Sequence, residues 1–258
     1  MPIHEQHPAL TVPNDNPTLW RYMDIPSFIS LLTKEALTFV RADLLEDKHE
    51  GTFPEITATA LDDWAKNEIL KGKLNPVYSH SLANMLENNG KTNTYINCWT
   101  LQAHELVHMW KIYSKETGIA IESDYQTLKN SILSKELVYP TVVTYLDYKK
   151  DSFRWKNNGM TLYAIKKCEY KAENEFRLIM SFPREIEDKM LNIKTHKEKN
   201  PIAEKLYSET PVIYCKMDLD KLISNIHLSP YAPKWYYTIV CDVLAKLGLN
   251  KKVNQSVL

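Results

Sequence analysis

The chain has 258 residues, 44% of them apolar, and carries 32 basic against 32 acidic side chains for a formal net charge of zero. That length suits one large or two small domains with ample apolar sequence for a core. The balanced charge excludes a globally basic nucleic-acid binder but leaves room for a local patch.

The four cysteines, Cys98, Cys168, Cys215 and Cys241, form no C-x-x-C pair and read as free thiols of a reducing compartment. No apolar run is long enough to span a bilayer and the first residues lack an apolar signal core, so a soluble cytoplasmic protein with no membrane partner is expected.

Residues 1–17, rich in proline and polar side chains, are expected to form a flexible arm, with 18–258 a single domain. Leu19–Met23 reads as a short aromatic strand. Asp24 caps a helix with Pro26 in its first turn and Phe28, Leu31 and Leu32 on its apolar face. Leu37–Arg41 is a second strand. The acidic run Ala42–Gly51 is either a solvated loop or a site loop presenting Asp47 and Glu50, because loops at strand ends often carry function. Residues 54–90 form a helical insert, broken at Asn75-Pro76 and ended by Asn88-Asn89-Gly90. Tyr95–Thr100 is a strand.

Leu101–Tyr113 lacks proline and glycine and predicts a helix, with Leu106, Val107, Met109, Trp110 and Tyr113 on one side. Within it stands His104-Glu105-Leu106-Val107-His108. On a helix, H-E-x-x-H places two imidazoles at i and i+4, where they can bind Zn²⁺ while the glutamate polarises a water. Here His104 and His108 fall on the wet side, and no third ligand follows at a diagnostic spacing. Two surface histidines are the plainer reading. Gly118 then ends the helix, and Ile119–Glu122 is a buried strand.

Downstream, a helix over Tyr125–Leu133 precedes strand segments at Leu137–Tyr139 and Thr141–Tyr145. The next charged stretch is Glu173-Asn174-Glu175-Phe176-Arg177. On a strand, Glu173, Glu175 and Arg177 share one face, and three charges on one face need partners or water. They are either a salt-bridged edge or an acid pair lining a cleft with an arginine partner. Ser181–Pro211 reads as a lysine-rich excursion or flap. A strand at Pro211–Met217, a helix from Asp218, a strand and turn at Ile226–Pro230 and a helix over Trp235–Leu247 stopped by Gly248 complete the chain.

Several of these lines resemble the bacterial domain of unknown function family number 2971. They are Met109-Trp110-x-x-Tyr113 followed by Gly118-Ile119-Ala120-Ile121-Glu122, the loop residues Asp47 and Glu50, Glu173-x-Glu175-Phe176-Arg177, and Ile226-x-Leu228-Ser229-Pro230-x-Ala232-x-x-Trp235. The loop departs from the family's N-D-P-x-E by carrying Glu46 and Lys48. The resemblance implies an α+β single domain, a mixed or antiparallel central sheet flanked by helices.

A weaker likeness, to ADP-ribosyltransferase-type domains, implies a reaction. Their layout places Arg or His on an early strand, Tyr, Ser or Thr on a middle one and Glu on a late one. On that likeness Arg21, with Arg41 and Arg177, would bind NAD, Tyr22, Trp110 or Tyr113 would wall the nicotinamide, and Glu175 or Glu173 would be catalytic. NAD or another nucleotide would be the ligand, and a nucleic acid or protein the acceptor, with partner proteins of a defence operon or toxin module. The alternatives are a non-catalytic binding or sensor domain and, third, the zinc peptidase through His104 and His108.

Overall fold

The computed structural model describes residues 3–113, 116–155, 158–181 and 210–258. The excursion expected over Ser181–Pro211 lies almost wholly outside them.

The fold is α+β, with a mixed nine-stranded sheet flanked by helices. Strand β1 (Thr18–Met23) leads into α1 (Ile25–Lys34), where the Asp24 carboxylate accepts from Ser27 N as an N-cap. Strand β2 (Ala36–Arg41) is followed by the helical segment α2 (Glu55–Leu70) and α3 (Leu82–Asn93). The Asn-Asn-Gly turn expected at 88–90 does not form: α3 runs on to Asn93 and β3 (Thr94–Leu101) begins at once. Then come α4 (Val107–Ile112), β4 (Ile119–Asp124), α5 (Tyr125–Asn130), β5 (Tyr139–Val142), β6 (Thr144–Leu146), β7 (Ile165–Lys167) and β8 (Glu175–Ser181). The chain closes with β9 (Val212–Lys216), α6 (Leu219–Leu222), β10 (Asn225–Leu228), α7 (Lys234–Lys246) and β11 (Val253–Gln255).

Residues of the expected flexible arm are tied down. Ile3 bridges to Val138, Glu5 bonds Lys129 and Tyr125, and Val142 N donates to Thr11 O at 2.7 Å.

Strand β3 is the pivot of the sheet. Along one edge it pairs with β8, from Thr94↔Ser181 to Thr100↔Glu175. Its other edge is shared: β1 takes Thr100 and Leu101, and β2 takes Tyr95 and Ile96. Between these contacts β1 and β2 diverge, so the sheet forks beside residues 97–99. Asn97 Nδ2 reaches across to Thr38 O at 2.8 Å.

Alternation gives the two faces different cores. One face buries Leu19, Phe39, Trp99, Phe176, Leu178, Ile121 and Leu228 with Phe28 of α1, Leu128 of α5 and Val240 of α7. On the other face the apolar contacts fall into two clusters. One gathers Ile96, Ile179, Leu162 and Tyr163, and the other Trp20, Tyr22, Ala120, Met109 and Trp110. A polar strip separates them.

Candidate functional site

Register defines that strip. Trp20 pairs with Thr100, Thr100 with Glu175, Cys98 with Arg177 and Ile96 with both Ile179 and Val40. Because the side-chain period of a strand is two, Thr38, Val40, Cys98, Thr100, Glu175 and Arg177 share one face of the sheet.

Arg177 is 1% exposed and uses all five guanidinium N–H groups. Nη1 and Nη2 donate to the two Glu50 oxygens at 2.6 and 2.8 Å. Nε and Nη2 donate to Glu175 at 2.9 Å each, and Nη1 to Tyr163 O at 2.9 Å. Lys166 Nζ adds contacts of 2.7 Å to Glu173 and 3.2 Å to Glu175. Burial opposes ionisation of Glu175, but the Arg177 and Lys166 charges outweigh it and hold the carboxyl down at about 2. Burial likewise opposes the Lys166 and Arg177 charges, which Glu175 nevertheless keeps raised. The Cys98 thiol is pushed up by burial and by the Glu175 charge, so it stays protonated beside that carboxylate.

Glu173 is not on the strand as its spacing suggested. It ends the 3₁₀ turn Cys168–Glu173, Asn174 takes a left-handed φ of 41°, and β8 begins only at Glu175. Asparagine tolerates that conformation, and its side-chain amide bonds Leu101 O. Lys166 then brings Glu173 back beside Glu175. The Glu173 side chain is 22% exposed against 6% for Glu175.

The acidic loop splits in two. Glu50 is buried on Arg177, whereas Asp47 shapes the turn that delivers it, accepting from His49 N at 2.9 Å. Gly51 follows at φ +68°, and an added Cβ would stand 2.6 Å from Tyr163 Cε1. Gly51→Ala is therefore expected to cost about 1–3 kcal/mol, read as a lower urea midpoint at unchanged slope.

Arg21 sits at the fork. Its Nη1 donates to Cys98 O at 2.5 Å, filling the unpaired stretch of the β3 edge. Among the described residues no carboxylate forms an ion pair with it, and burial works against its charge. It lines a cavity of about 330 Å³ between β1 and β2, with Ser27 and Ser30 of α1 and Thr38, Val40, Val212 and Tyr214. Arg41, grouped with it on sequence, is instead spent locally, clamping Asp43 at 2.7 and 3.1 Å.

The helix expected over Leu101–Tyr113 is mostly absent. Leu101 still belongs to β3, residues 102–106 form a loop, and only Val107–Ile112 is helical. The i, i+4 geometry of the zinc pattern does not form. His104 is exposed on the loop, and half-buried His108 contacts Ala172 O at 3.1 Å. Glu105 accepts from Trp110 Nε1 at 3.0 Å and faces His227 Nδ1 at 3.4 Å. Among the described residues no group of three His, Cys, Asp or Glu side chains could hold a metal ion.

Of the three proposed aromatic walls, two are packing residues. Trp110 is fully buried edge-on to Tyr22 at 4.9 Å, and the Tyr22 hydroxyl accepts from Leu106 N. Tyr113 remains 41% exposed while its hydroxyl end is desolvated, which raises its pKa, as do the charges of Glu175 and Glu173.

The carboxylates lie on the Thr100 face of the sheet, whereas Arg21, in register with Ile121, roots on the opposite face and reaches the fork at Cys98 O. Lys166, Tyr145, whose hydroxyl accepts from Glu175 N at 2.8 Å, and Thr100 escaped sequence reasoning. Nothing local marks them, because their partners lie on other strands.

No family model and no curated protein matches this sequence, so the likeness to family 2971 rests on the motifs quoted above. Among solved structures the chain is similar to DarT of Thermus sp. 2.9 in complex with NAD⁺, at 9% identity and a TM-score of 0.36, covering 95% of this chain and 98% of that one. The same protein with carba-NAD⁺ gives 8% identity and a TM-score of 0.34, covering 95% and 96%. At scores this low, function has to be read from the residues of this chain.

Proposed function

We propose that the chain is an NAD-consuming enzyme of the ADP-ribosyltransferase type. The observation that carries this reading is the adjacency of β1, β3 and β8: Thr100 and Glu175 pair on one face, and Arg21, rooted on the opposite face of β1, reaches the fork beside them at Cys98 O. An arginine in a cavity that, among the described residues, bonds one backbone carbonyl is a ready fork for a pyrophosphate. The nicotinamide glycosidic bond breaks with its electron pair leaving on nicotinamide. The cationic ribosyl carbon so formed is stabilised by the fixed negative charge of Glu175. Glu173, less buried and paired with Lys166, takes the proton of the attacking acceptor hydroxyl or amine. Tyr113 flanks the reacting end. The acceptor is a nucleic acid or a protein.

Nicotinamide release from NAD⁺ by the purified protein, with cell extract supplying acceptors, tests this. Arg21→Gln is expected to raise KM for NAD⁺ by about 10- to 100-fold, the worth of one charged hydrogen-bonding group. No release from the wild-type protein under either condition would sink the reading.

A second reading, a non-catalytic binding domain, draws on the filling of both Glu175 oxygens by Arg177 and Lys166. It is favoured if calorimetry detects NAD⁺ binding without turnover.

A further inference from the structure

A second charged cluster lies at the far end of the polar face, unused by the proposed chemistry. His227 on β10 is 12% exposed at its side chain and has a carboxylate against each ring nitrogen. Nε2 lies 2.9 Å from Glu122 Oε2 on β4, and Nδ1 lies 3.4 Å from Glu105 Oε1 on the 102–106 loop. A neutral imidazole carries one N–H and one lone pair, so one nitrogen would aim its lone pair at a carboxylate oxygen. Only the imidazolium donates to both sides. Trp20 on β1 packs against the ring at 4.7 Å with the two planes at 60°. The titratable groups facing the imidazole are Glu105 and Glu122. Asn254 of β11 is its register neighbour, and Asn225 shares Glu122 at 2.9 Å.

Glu105 is the lever. Its other oxygen accepts from Trp110 Nε1 at 3.0 Å, and Trp110 anchors α4 against Tyr22. Helix α4 carries His108, which contacts Ala172 O just before Glu173, and ends at Tyr113 beside Cys98, Glu175 and Arg21.

We propose that His227 is a doubly donating imidazolium clasp, a positioning residue whose charge holds the 102–106 loop and α4 against the carboxylate strip. Burial opposes the His227 charge, but Glu105 and Glu122 outweigh it and raise its pKa. The sign follows: the clasp is closed below that raised value and opens as pH rises through it. The clasp stands independently of any NAD chemistry; only its effect on turnover rests on the transferase reading.

The test is an NMR pH titration of the wild-type protein. The His227 ring C–H resonance, assigned by its loss in His227→Gln, is expected to titrate above an ordinary histidine and to shift down in Glu105→Gln. The Trp110 indole N–H, assigned with Trp110→Phe, loses protection from exchange across the same midpoint. His227→Lys, which keeps a charge at high pH, keeps that protection at pH 9, whereas His227→Gln lacks it throughout. If His227 titrates as an ordinary histidine, or if Trp110 stays protected through its midpoint, the clasp is wrong. Both readouts come from the wild-type chain, so a variant that fails to fold does not spare the proposal. Where NAD⁺ is turned over, kcat falls on the alkaline side at the same midpoint in the wild type and not in His227→Lys.

Discussion

Arg177→Met is expected to lower the unfolding free energy by about 3–5 kcal/mol. Among the described residues the guanidinium is the one cation that ion-pairs with both Glu50 and Glu175, and all three side chains are buried. Methionine fills similar volume but leaves two carboxylates without their main counter-charge, with Lys166 the one cation among the described residues still reaching Glu175. The cost comes from stranded charge rather than from a lost contact. Replacing all three residues by apolar side chains should therefore be far milder than the single change. Urea unfolding at pH 7 measures both. A loss under about 1 kcal/mol for the single variant, within the range of an exposed ion pair, would show that water reaches the cluster. The same network sets the acid limit. Glu175 has a lowered pKa, so its contribution is complete above the ordinary carboxylate value of about 4.3. It is lost as pH falls through about 2. The wild-type protein should lose stability progressively over that interval, and Glu175→Gln should lose less.

Glu175→Gln is expected to reduce kcat for nicotinamide release by about 10²–10³-fold, the usual worth of one preorganised electrostatic group. Glutamine keeps the shape and the bond from Arg177 Nε but removes the charge proposed to face the ribosyl cation. The KM for NAD⁺ should move little, because the pyrophosphate is assigned to Arg21. Glu173→Gln separates the two carboxylates. It should leave glycosidic cleavage nearly intact and slow transfer to the acceptor. Circular dichroism and NAD⁺ affinity of each variant exclude unfolding as the cause. Unchanged cleavage by folded Glu175→Gln removes that residue from the mechanism, and a large loss in Glu173→Gln moves the role there.

The two carboxylates show how far a linear reading goes. Their proximity to Arg177 was visible in the motif, but the shared strand face was not real. Asn174 turns left-handed between them, and Lys166, not strand alternation, pairs Glu173 with Glu175. The H-E-x-x-H run failed for a related reason. Its helical period was sound, yet Leu101 N is taken by Asn174 O, and Glu105 is drawn toward His227 and Trp110. Tertiary bonds overrode a local preference worth a few tenths of a kcal/mol per residue.

What the sequence determined by itself is what neighbours along the chain can settle. The Asp24, Asp124 and Asp218 caps, the alternating strands and the apolar face of α1 are local matters of backbone bonds and period. Only the tertiary structure decided which charges are buried and what they face. The acidic run holding Glu50 read as either a solvated loop or a site loop, and Glu50 closes on Arg177 across a separation of 127 residues. Arg21 was singled out only through a likeness to other domains, and the divergence of β1 from β2 leaves it in a cavity without a carboxylate ion pair among the described residues. A buried charge is satisfied by whatever the topology brings within about 3 Å of it, and no pattern along the chain encodes that distance.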